Sequence, residues 1–256
     1  RPQSIPVFLL IKTAFQILWL QRDDALRLGF IPTLICFGGL LYGAPAMKQA
    51  GALYQASITN PLPADIAFGI LSTLLIVLVA MALAIANWLR FMLLGPMGAV
   101  GVGLAIGRPH ARFLVWCVIL GFAGSIAFSV LSMPMLLLPQ LLAWIGLVAV
   151  AIVLFVLGAR LTPFLIGQVI AQPMSLQQAW NASRGNGIAL ASALILADIP
   201  LWIGARLLVQ VLSAIGFADL APMAMIFIMA AFQIAAGFVQ AGILAAAFRQ
   251  IVGIRV

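Results

Sequence analysis

Residues 66–89 read IAFGILSTLLIVLVAMALAIANWL, twenty-four positions without a single charge. A helix needs roughly 20 apolar residues to cross the hydrocarbon core of a bilayer. A transmembrane barrel would show short alternating segments in place of such a continuous run. Helices also satisfy every backbone N–H and C=O within one segment, which lipid demands. The same reading extends to residues 26–43, 113–132, 141–158, 188–212 and 222–248. The sequence therefore predicts an all-α polytopic membrane protein with six transmembrane helices, in a single integral membrane domain covering 1–256.

Composition agrees. Of 256 residues, 65% are hydrophobic and 7% charged, too few ionisable groups to coat a soluble domain of this size. Thirteen Lys and Arg face five Asp and no Glu, a net charge of +8. In a soluble protein that balance would suggest nucleic acid as a partner. Here the cations are dispersed between apolar runs, so membrane lipids are the expected partners and nucleic acid is not. Arg1, Lys12, Arg22, Arg27, Arg90, Arg108, Arg112, Arg160, Arg184, Arg249 and Arg255 fall in one set of connections, and Lys48 and Arg206 in the other. By the excess of Lys and Arg on the cytoplasmic side, this places both termini in the cytoplasm. Cys36 and Cys117 lie inside apolar runs and read as small apolar residues, not as a disulfide. The chain opens at Arg1, so a short missing N-terminal piece is expected. Residues 5–20 mimic a signal peptide, but they carry Lys12 and lack a small-x-small cleavage site, so they read as retained.

Before each pair of spans comes an apolar piece too short or too interrupted to cross, then a basic turn. The pieces are residues 5–20, 91–106 and 161–172, with turns at 21–27, 107–112 and 173–187. This suggests a threefold hairpin repeat (5–90, 91–160, 161–248) with three cytoplasmic-side interfacial or re-entrant helices. The first piece has the alternative of crossing the membrane.

Several motifs bear on function. Gly95, Ala99, Gly103 and Gly107 recur every four residues, a smooth face for helix packing in lipid. Gly121, Ser125 and Ser129 repeat the device, as do Ala189, Ala193 and Ala197. Such faces serve packing within the chain or an interface between subunits. Ser175-Leu-Gln-Gln178 is a capping box opening a short helix that stops at Gly185. Arg184 beside that stop, with Arg90, Arg108, Arg112 and Arg160, could contact anionic lipid headgroups.

Asp198 lies about ten residues into the fifth span, hence ~15 Å deep. Intramembrane acids usually face a partner or a cavity, and Pro200 beside it removes a backbone hydrogen bond. It is a candidate proton or ion site, or else a structural acceptor at the kink. Gln233 and Gln240, seven apart, read as glue between helices. His110 sits in a basic turn with no Cys, Asp or Glu at ligand spacing, so no metal and no cofactor are expected. A lone loop histidine in a chain without Glu offers no general base for a nucleophile, so no catalytic residue is assigned and an enzyme is not expected. Trp19, Trp88, Trp116, Trp144, Trp180 and Trp202 fall mostly near span ends, as interfacial anchors do.

Asn87-Trp-Leu-Arg-Phe-Met-Leu-Leu-Gly95 resembles an Asn-Trp-x-Arg-Phe-x-Leu-Leu-Gly element. Arg160-Leu-Thr-Pro-Phe, with Ser175-Leu-Gln-Gln-Ala-Trp-Asn-Ala-Ser-Arg-Gly185, resembles an Arg-x-x-x-x-Pro and Ser-Leu-x-x-Ala-Trp-x-x-Thr-x-Gly element. Both are similar to uncharacterised polytopic bacterial inner-membrane proteins, akin to the membrane domain of some glycerophosphodiester phosphodiesterases. About a third of the chain is covered. Ser183 stands where the pattern has Thr, and the proline falls at Pro163. The resemblance implies a bacterial inner membrane and carries over no catalytic residue. The expected role is a non-catalytic accessory or scaffold subunit, with other membrane protein subunits as partners. The alternative is a small-solute or lipid transporter using Asp198 and interrupted helices.

Overall fold

Apolar side chains can face lipid at little cost, so helix boundaries here are set by backbone chemistry more than by hydropathy. The computed structural model describes residues 6–55, 63–96, 107–216 and 221–252. Of these, 91% are helical and none is in a strand, which makes the chain an all-α protein. In order the helices are α1 (Val7–Leu20), α2 (Arg22–Gln55), α3 (Ala64–Leu94), α4 (Arg108–Ser132), α5 (Gln140–Val169), α6 (Leu176–Ala182), α7 (Gly187–Ala214) and α8 (Pro222–Val252). A short 3₁₀ turn, Met133–Leu137, joins α4 to α5. Helices α2, α3, α4, α5, α7 and α8 are each long and apolar enough to span a bilayer, so this is a multi-pass membrane protein.

The spans outrun the expected segments. Helix α2 starts at Arg22, with Asp23 and Asp24 in its first turn, where carboxylates oppose the positive end of the helix dipole. The basic turn expected at 21–27 shrinks to Gln21. The interfacial piece expected at 161–172 is not separate either: α5 runs through Pro163 to Val169. The proline leaves the Ala159 carbonyl without its usual amide, and the Thr162 hydroxyl donates to it at 2.8 Å. The piece expected at 91–106 begins as the last turn of α3, and residues 97–106 lie outside the described residues. Among the described residues only α1 stands alone as a short apolar helix ahead of its hairpin. At 14 residues it covers about 21 Å, less than the ~30 Å core. Leu10 and Ala14 pack it onto α7 and α8.

Burial is concentrated toward one end. Buried residues in α4 are His110 and Phe113, in α5 they begin at Ala159, and in α7 they stop at Ala197. A core of Trp88, Phe91, Phe113, Ile166 and Phe238 fills this end. Trp88, expected as an interfacial anchor, is 1% exposed and stacks on Phe91 and Phe238 at 5.3 and 4.9 Å. This is also the end that carries Arg90, Arg108, Arg160 and Arg249. Farther along, α4 and α5 turn Phe122, Val130, Leu141 and Trp144 outward.

Candidate functional site

The last four carbonyls of a helix have no partner within it, and an arginine close by is a natural donor to them. The basic end is built on that need. Arg90 of α3 donates to the Val169 carbonyl, where α5 ends, at 2.6 Å. Arg249 of α8 donates to the Met92 carbonyl in the last turn of α3. Three helices that terminate on the same side are thereby tied by charged bonds. Arg160 makes a third tie. Its guanidinium lies 3.5 Å from the Trp180 ring centre and donates to the Trp180 carbonyl at 3.1 Å. The Ser183 hydroxyl, fully buried, donates back to the Arg160 carbonyl at 2.9 Å. Gly187 lies against the arginine stem, where an added Cβ would come within 2.9 Å of Cδ. The expected capping box is present: Ser175 and Gln178 exchange bonds at 3.1 and 2.8 Å.

These ties carry a prediction. Arg160→Leu removes a ring contact and a charged hydrogen bond, together about 1.5–2 kcal/mol. Amide exchange across 176–182, followed by mass spectrometry in mild detergent, should rise about tenfold or more. Unchanged exchange there would mean that α6 is held by something other than Arg160.

Of the five arginines expected at lipid headgroups, Arg90 and Arg160 are turned inward onto carbonyls, while Arg108, Arg112 and Arg184 are exposed. His110 is not in a solvated turn but is buried in the first turn of α4. Its Nδ1 accepts from the Gly107 amide at 3.3 Å, and its Nε2 faces the Asn87 Oδ1 at 3.0 Å. The first contact assigns the proton to Nε2, which then donates to Asn87. The Nδ1 contact caps the start of α4 itself, and the Nε2 contact joins α4 to α3.

The glycine stripe does not run along one helix. Gly95 ends α3 with φ +76, a left-handed conformation that suits glycine, and Gly107 caps α4. Ala99 and Gly103 lie outside the described residues. Close packing falls elsewhere, on Gly39-Leu-Leu-Tyr-Gly43 of α2, where the four-residue glycine spacing is itself a signal in the sequence. A Cβ on Gly39 would sit 2.7 Å from Ile76, and one on Gly43 would collide with the Thr73 side chain. The stripe at Gly121, by contrast, is open: nothing lies within 4 Å of a Cβ on Gly121 or Gly124.

Asp198 and Gln240 meet. The Gln240 amide nitrogen stands 2.8 and 2.9 Å from the two Asp198 carboxylate oxygens. Gln233 is exposed on the same helix. Arg206 lies over the Trp202 ring, 5.2 Å from its centre. The pairing had a signal in the sequence. Asp198 is eleven residues past the start of α7 and Gln240 twelve before the end of α8, so in an antiparallel hairpin they share a depth. Among the described residues no three His, Cys, Asp or Glu gather as a metal site would require. Searched against protein families, curated proteins and solved structures, the chain matches none of them.

Proposed function

We propose that this chain is a non-catalytic accessory or scaffold subunit of a membrane assembly, resident in a bacterial inner membrane with both termini cytoplasmic. The sorting of 11 cations to one set of connections against two in the other supports the orientation. The likeness of the 87–95 and 160–185 motifs to bacterial inner-membrane proteins supports the location. The role rests on the α4–α5 hairpin. The most apolar stretch of each of its two helices contains no fully buried residue. Gly121, Ser125 and Ser129 form an open small-residue face there, with both hydroxyls turned back onto their own helix. Such a face lets another membrane-spanning helix approach closely, where packing and not water expulsion drives association. His110 with Asn87, and Gln240 with Asp198, join helices to each other, as a static subunit requires. The carrier alternative needs an accessible Asp198 and broken helices. Gln240 already occupies both carboxylate oxygens, and α5 passes through Pro163 unbroken.

A photocrosslinking residue placed at Gly121 in cells should trap one membrane protein at a fixed ratio. Gly121→Leu with Gly124→Leu should lower recovery of that protein at least tenfold in mild detergent. A chain that purifies alone, with only lipid adducts at position 121, would refute the scaffold role.

A further inference from the structure

A lateral groove opens between α1, the first half of α2 and α8. It encloses about 480 Å³, within the range of small-molecule sites. Its walls are almost wholly apolar. Gly29, Ala231 and Ala235 leave the space, and Phe30 and Phe238 flank it. At the far end Phe37 meets Phe227 edge to face at 5.5 Å. Polarity is confined to two positions. Thr33 is buried at depth, and Arg22 stands at the opening beside Trp19, its guanidinium 5.7 Å from the ring centre.

We infer that this groove binds one acyl chain of a glycerophospholipid, with the lipid phosphate at Arg22. Three observations carry this. The first is length. Arg22 and Thr33 are eleven residues apart on one helix, about 16 Å of rise, which is half the ~30 Å hydrocarbon core and so one leaflet. The second is the order of chemistry along the groove. A cation and an indole occupy the level where headgroups lie, and apolar side chains follow below. The third is the charge available. The carboxylate of Asp24 is engaged by Arg27 at 3.5 Å, and Asp23 is 96% exposed with its oxygen 4.0 Å from the Arg22 Nε. That contact is too loose to occupy a guanidinium with five donors, so its fork remains available for a phosphate.

The test uses the full chain in phosphatidylcholine nanodiscs doped with a trace of diazirine lipid. One probe is phosphatidylglycerol and the other is diacylglycerol with the same chains. The phospholipid probe should label the peptides spanning 15–33 and 227–238 about fivefold more than the diacylglycerol probe does. Arg22→Gln should bring the two probes level. Ala235→Trp, which fills the groove, should cut labelling there about tenfold while labelling on α4 and α5 stays constant. Ala231→Leu, a milder filling, should lower it two- to threefold and guards against misfolding of the tryptophan variant. Equal labelling by the two probes in the unaltered chain would overturn the inference. So would groove labelling no denser than on α4 and α5, or chain-to-chain adducts at the groove in place of lipid. None of these outcomes touches the α4–α5 face on which the scaffold role rests.

Discussion

Gly43→Leu should unfold the α2–α3 hairpin more readily than any neighbouring glycine substitution, at a cost of about 3 kcal/mol. Glycine at this position leaves no room for even one added carbon. A Cβ would collide with the Thr73 hydroxyl and stand 2.7 Å from the Thr73 Cβ and Cγ2. Thr73 cannot swing away freely, because its hydroxyl donates to the Gly69 carbonyl at 2.8 Å and the side chain is fully buried. One turn away, Gly39 meets Ile76 and Gly69 meets Ala46, at 2.7 and 2.9 Å from their missing Cβ atoms. The two helices therefore interlock over several turns, and a side chain at 43 must force them apart along that length. Dispersion contacts fall steeply with such a gap, and in lipid no expulsion of water compensates. Gly38→Leu and Gly51→Leu are the controls on the same helix, since nothing lies within 4 Å of either. They should stay within ~0.5 kcal/mol of the unaltered protein. Unfolding by SDS titration, read by circular dichroism, ranks the three. Equal midpoints for Gly43→Leu and Gly38→Leu would mean that α2 and α3 are not held by this contact. Gly43→Ala combined with Thr73→Gly moves the gap to the other helix and should recover most of the loss.

What the sequence revealed follows from which interactions leave a linear trace. Six spans were legible because each needs ~20 apolar residues in a row, and the structure supplies six such helices. The short α6 was legible because Ser175 and Gln178 carry a cap signature three residues apart. A separate piece at 161–172 does not form because Pro163 does not break α5. Within a helix, a hydroxyl such as that of Thr162 can serve the freed carbonyl, and neighbouring helices hold the rest. The basic turn around His110 gives no sign of its burial, yet Asn87, twenty-three residues earlier, draws it inward. The groove between α2 and α8 left no linear trace at all. Helices distant in sequence associate in lipid through shape, and hydropathy does not encode shape.

Shape alone does not join α7 to α8, and the second large effect is expected there. Gln240→Leu should destabilise the bundle by about 2–3 kcal/mol, the scale of an acidic group left without a partner inside a membrane. The Gln240 nitrogen faces both oxygens of Asp198, some 16 Å along α7 from its start. Asp198→Asn should cost less, about 1 kcal/mol, because an amide oxygen still accepts from Gln240 while the charge is lost. The double variant Asp198→Leu with Gln240→Leu should return close to the starting stability, since both polar groups leave together. That sequence of results would give a coupling energy of about 2 kcal/mol in a double-mutant cycle, and it would define the pair as a tie between helices. A different order points the other way. If Gln240→Leu is silent while Asp198→Asn abolishes function without changing the unfolding midpoint, the carboxylate is working as a charge and not as an acceptor. The static reading of this bundle then gives way to the ion-coupled one, because a group that matters for charge but not for stability must exchange its partner during the protein's work.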